Sequence, residues 1–132
     1  MYEFLKAIAE ANNWVFEYAR TDYQNLTDVE EDKVHLFIDP ITTDSKFSDS
    51  GNESLTYSGK FMLLLSSDVD EEYQDKYDQY IKPLFVGAGA VLKDAFACSD
   101  FQLNLYKSLE VINLFDQNLD GLLITYSATD LS

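Results

Sequence analysis

The chain of 132 residues and 15.1 kDa is long enough for one domain with its own core and too short for two. With 46% hydrophobic residues, 14% aromatics and one cysteine, it excludes the disordered and the disulfide-stapled classes. Twenty-four Asp and Glu against nine Lys and Arg give a formal net charge of −15. Such a chain is repelled by phosphate backbones and anionic lipid, which argues against tight nucleic-acid binding and against membrane binding unless a basic patch is concealed. None shows, because Lys6, Arg20, Lys33, Lys46, Lys60, Lys76, Lys82, Lys93 and Lys107 are dispersed. No apolar run approaches the roughly 18 to 20 residues that cross a bilayer, and the start MYEFLKAIAE lacks the basic region of a signal peptide. A soluble product of the cytosol is expected.

Phe4, Leu5, Ile8 and Ala11 recur at helical spacing, and Asn12-Asn13 supplies residues that tolerate the left-handed conformation ending a helix. In WVFEYAR the period changes to two: Trp14, Phe16 and Tyr18 alternate with Val15, Glu17 and Ala19, which predicts a strand. The polar stretch from Thr21 to Asp32 reads as a loop. VHLFID, stopped by Pro40, reads as a second strand buried on both faces. Ile41 to Ser54, rich in Asp, Ser and Thr, predicts a long mobile loop suited to partner binding.

Leu55, Tyr57, Gly59, Phe61, Leu63 and Leu65 hold one alternating face of a third strand. Asp68 with Glu71 has capping-box spacing, and the Asp68–Glu72 carboxylates suit the positive end of a helix dipole. In the helix they open, Tyr77, Ile81, Leu84, Phe85, Ala88, Leu92 and Phe96 fall at steps of three and four, predicting an inner stripe packed on Tyr57, Phe61 and Leu63. Pro83 and Gly87 predict a kink or local break. Beyond Ser99, the alternation of Phe101, Leu103 and Leu105, and the run VINLF, DQNLDG, LLITYSA, predict two more strands with a tight connection.

Helix, three strands, helix, two strands make a single α+β domain over 1–132: a two-layer sandwich with a mainly antiparallel sheet and a long polar loop at about 41–54. Two helices cover one sheet face. Val34, Leu36, Leu122 and Ile124 are expected to be left without enough internal cover.

Chemistry is sparse. DQNLDG, Asp116 to Gly121, reproduces the first six positions of a calcium loop, with Asp116, Asn118 and Asp120 as ligands. Ile124 at position nine and Ser127 at position twelve break the match, and a hairpin turn explains the motif better. GAGAVL, Gly87 to Leu92, lacks the third glycine of a dinucleotide fingerprint and continues a helix. His35 and Cys98 are the only residues of their types, in apolar contexts that favour core or edge roles over metal binding or nucleophilic use. With 24 carboxylates, no acid/base pair stands out. No catalytic residue, metal ligand or cofactor site is assigned, and no enzyme is expected.

The element order, with WVFEYARTDYQNL, VHLFIDP and EVINLFDQNLDGLLITYSATD in their places, resembles the small neck and tail-completion proteins of tailed bacteriophages, especially tail terminators. The resemblance implies a structural virion subunit, made in the host bacterial cytoplasm. It implies a homo-oligomeric ring at the neck or tail, capping the tail or joining it to the head–tail connector, with neighbouring neck or tail proteins as partners. A like-charged channel wall would let DNA pass without holding it. The rival reading is an acidic DNA mimic that blocks a nucleic-acid-binding protein; it needs a continuous stripe of carboxylates, whereas these spread over termini, loops and helix ends.

Overall fold

A computed structural model describes residues 1–18, 33–66, 72–114 and 119–131. Helix α1, Tyr2–Ala11, buries Leu5, Ile8 and Ala9. It ends as its asparagines predict: Asn13 is left-handed at φ 59°, the Asn13 N–H donates to the Glu10 carbonyl and the Trp14 N–H to that of Ala9. This double closure satisfies carbonyls that the last turn leaves open.

The remaining elements are β1 (Val15–Tyr18), β2 (His35–Ile38), β3 (Thr42–Phe47), β4 (Glu53–Ser66), the helix α2 (73–97), β5 (Phe101–Leu114) and β6 (Leu119–Asp130). They form an α+β fold with one mixed six-stranded sheet in the order β1-β2-β4-β6-β5, while β3 pairs with the outer half of β4. Among the described strands, only β1 and β2 run parallel. Their connection, the loop expected over Thr21 to Asp32, lies outside the described residues.

Among the described residues, four strands, not three, therefore precede α2. The expected long loop at 41–54 is a β-hairpin: Thr42 through Phe47 pair with Ser58 through Glu53. Its turn closes through the Ser48 N–H to the Asn52 carbonyl at 2.9 Å and the Gly51 N–H to the Ser48 carbonyl at 2.9 Å. Gly51 is left-handed at φ 84°, a conformation glycine takes without strain. Polarity misled the loop reading, because ladder hydrogen bonds hold a strand pair whether or not its side chains are buried.

Helix α2 is a run of α-helical turns, including Tyr73–Lys76 and Gly89–Ala97, with π-helical turns at Tyr77–Ile81 and Leu84–Ala88. The Lys82 N–H donates to the Tyr77 carbonyl and the Gly89 N–H to that of Leu84, each five residues back. Pro83, which has no N–H to give, sits between the two wide turns at φ −60°, so the chain widens here and stays helical. The buried positions become Lys76, Ile81, Leu84, Ala88, Gly89, Leu92 and Phe96. Across the first π turn the step is five, from Lys76 to Ile81, and across the second Leu84 is followed by both Ala88 and Gly89; this corrects the expected stripe, since Lys76 enters where Tyr77 was placed and Phe85 stands 52% exposed.

The core lies between the helices and one sheet face, where Leu5, Leu36, Ile38, Phe61, Leu63, Ile81, Leu84, Leu92, Phe96, Leu122, Ile124 and Tyr126 are buried together. Leu36, Leu122 and Ile124 are thus fully covered within the subunit, against the expectation that they lacked cover, and partly buried Val34 packs on the same core. The other sheet face carries a smaller cluster of Phe37, Met62, Leu64 and Leu119. A register shift between Leu103 and Leu105 ends the expected alternation of β5. Leu103 packs on the core, Leu105 is exposed and Tyr106 takes the next inward place. An extra residue in one strand of a pair has this effect.

Candidate interaction surface

The chemically marked residues do not converge. Asp116 and Asn118 lie outside the described residues, as do Asp68, Asp70 and Glu71. Asp120 is not in a turn: it is the second residue of β6, buried on the helix side, with its carboxylate 3.1 Å from Lys76 Nζ. Gly121 is a strand glycine as well. A Cβ there would collide with the Leu63 carbonyl oxygen, so this glycine serves the close approach of two backbones. Ile124 and Ser127 are ordinary strand positions farther along β6.

His35 is buried at the start of β2, edge-on to Phe37 at 5.9 Å. Cys98, expected in the core or at its edge, is exposed at the C-cap of α2. In Gly87–Leu92, Gly87 faces open space, whereas a Cβ on Gly89 would press on the Leu84 carbonyl at 3.2 Å. Glu72, the described member of the acidic run, occupies the N-cap of α2 without a side-chain cap bond. Among the described residues, no three His, Cys, Asp or Glu side chains gather as a metal site would require.

Two surfaces stand out instead. The first is the β3–β4 hairpin, an arm extending past the sheet beyond the Thr56–Thr129 pairing at the end of β6. Every residue of β3 is exposed, and Phe47 at the tip is 67% exposed beside its cross-strand partner Glu53. Side-chain bonds stiffen the turn: Ser48 Oγ accepts from the Asn52 N–H at 3.2 Å, and Ser50 Oγ accepts from Asn52 Nδ2 at 3.3 Å. An exposed aromatic on a rigid polar arm contributes nothing to the subunit's own core.

The second is a cavity of about 380 Å³ between the π-helical turns of α2 and the opposite ends of β5 and β6. Tyr77, Ile81, Phe85, Val86 and Leu122 make its apolar lining, and Lys82 and Glu110 add one charge of each sign. The π turns create it. By rotating Tyr77 and Phe85 off the core stripe, they leave two rings partly bare, at 41% and 52%.

Beside this groove, Lys93 Nζ lies over the rings of both Phe85 (5.2 Å) and Tyr106 (4.9 Å), within the range of cation–π attraction. Tyr106 and Tyr126 are cross-strand partners whose hydroxyls are buried without a hydrogen-bond partner among the described residues. Burial pushes both phenols up to about 12, with the nearby Tyr18 adding to the effect at Tyr126.

The hairpin has one signal in the sequence. Thr42 and Thr43 favour strand, and a polar turn containing Gly51 followed by the alternation from Leu55 is a hairpin signal. The groove had no such signal, since 3.6-residue periodicity does not announce π turns.

Among the described residues, no helix is long and apolar enough to cross a membrane. Compared with known proteins, the chain matches no family model and no curated sequence.

Proposed function

We propose that the protein is a non-enzymatic assembly subunit, a structural component of a tailed-phage virion that closes into a homo-oligomeric ring at the neck or tail. DNA passes through the ring without being bound, and neighbouring neck or tail proteins dock on it. The observation that carries this reading is the β3–β4 arm, whose six β3 residues are all exposed and which ends in Phe47. A lone subunit gains little from ordering such a segment, because its side chains bury almost no apolar area there. An assembly gains a projecting contact element. The charge of −15 suits a channel that must release DNA.

Sedimentation velocity across a salt series, with and without duplex DNA, tests the reading. Each copy carries 15 net negative charges, so ring closure concentrates repulsion, and assembly should strengthen as salt rises toward physiological strength, where the Debye length is about 8 Å. Affinity for DNA should stay negligible throughout. A strict monomer at every salt and protein concentration, or a stable DNA complex, overturns it.

A further inference from the structure

We infer that the arm tip of one copy seats in the apolar groove of the next, with Phe47 inserted between Phe85, Val86 and Tyr77 of its neighbour. This rests on the ring reading above and names the contact that would close the ring. Three observations carry it.

Chemistry is the first. Phe47 and the groove are each apolar, exposed and set in otherwise polar surroundings, the combination that marks an anchor residue and its pocket. Charge is the second. Glu53 shares a face of the hairpin with Phe47, and the groove offers Lys82, one of only nine cations on a chain with 24 carboxylates. Placing opposite charges around a seated ring fixes register.

Geometry is the third. Along β4, Glu53 marks the arm tip, whereas Leu63 pairs with the groove residue Leu122. At a strand rise of ~3.3 Å per residue, the two lie roughly 30 Å apart. The arm and the groove sit at opposite ends of the sheet, so a subunit cannot fill its own groove. A contact between two different patches is head-to-tail, and repetition of such a contact gives a ring when the rotation closes.

The test uses two surface variants, Phe47→Ala without an arm anchor and Phe85→Asp with a spoiled groove, each checked for native circular dichroism. By sedimentation velocity and native mass spectrometry, each alone should be monomeric where the parent protein assembles. Mixed, they should form a species of twice the 15.1 kDa subunit mass and nothing larger, because one intact arm meets one intact groove. Glu53→Lys and Lys82→Glu should each weaken assembly several-fold, and the two combined in one chain should restore it.

If the parent protein assembles and Phe47→Ala assembles equally well, the arm contact is overturned while the ring reading stands. The same holds if the two variants are both monomeric and their mixture remains so. A parent protein that is monomeric under all conditions overturns both.

Discussion

Lys76 Nζ stands 3.1 Å from Asp120 Oδ2, with both side chains fully buried, and so ties the first turns of α2 to the start of β6. The pair exists because the π turn at Tyr77–Ile81 makes the step between inward positions five residues, bringing Lys76 rather than Tyr77 above the sheet. On the strand side, Asp120 falls on the same alternation as Leu122 and Ile124 and therefore faces the helix.

Breaking this pair should be costly. Asp120→Ala strips the ammonium of this carboxylate while leaving it buried, a change that destabilises by about 3–5 kcal/mol. Replacing both partners by apolar residues, Lys76→Met with Asp120→Leu, should cost on the order of 1 kcal/mol or less, because neither charge remains to be desolvated. Urea unfolding of the three proteins is the measurement. A single-variant loss below about 1 kcal/mol would show the pair to be exposed in solution and the helix register wrong.

The register of α2 makes a second, independent claim on two phenylalanines. Phe96 is 1% exposed and packs on Phe4 at 4.9 Å and Phe101 at 6.5 Å, so Phe96→Ala should destabilise by about 3–5 kcal/mol. Phe85 lies on the groove wall, and Phe85→Ala should change subunit stability by less than about 1 kcal/mol. Denaturant midpoints for the two variants decide the matter. Equal large losses would restore a regular 3.6-residue helix with Phe85 inside.

These residues show where sequence reasoning holds and where it stops. Asn13 ended α1 as foreseen, β2 is buried on both faces, and Phe61 and Leu63 face the helices. Each follows from a local rule whose period the fold respects. The stripe of α2 failed at Tyr77 and Phe85, since the wide turns flanking Pro83 alter the period and only tertiary packing selects them. The arm is hidden by its polar composition, since Thr42 to Phe47 are exposed and held by main-chain pairing with β4. For the candidate site, the residues that looked chemical, Asp120, His35 and Cys98, took structural or peripheral places. The surfaces that stand out are built from Phe47 and Phe85, which carry no motif.

The cross-strand tyrosines make a prediction about pH. Tyr106 and Tyr126 are pushed from 10.0 to about 12, chiefly by burial. While both states keep the proton, these phenols add no pH dependence, and the folded state loses ground once the unfolded chain ionises first. Stability is therefore full below about pH 10 and is lost as pH climbs from about 10 to about 12. Unfolding free energy measured across that window should fall with a slope approaching two protons. In the folded protein, the tyrosinate absorbance of these two residues should appear only as pH approaches about 12. Tyr126→Phe should remove one proton from the slope. It should also leave stability at neutral pH unchanged or raise it by up to about 1 kcal/mol, because the hydroxyl it deletes is buried without a partner among the described residues. A loss above about 1 kcal/mol at neutral pH would mean that the Tyr126 hydroxyl makes a bond in solution, and a full two-proton slope in the variant would place the alkaline transition elsewhere in the chain.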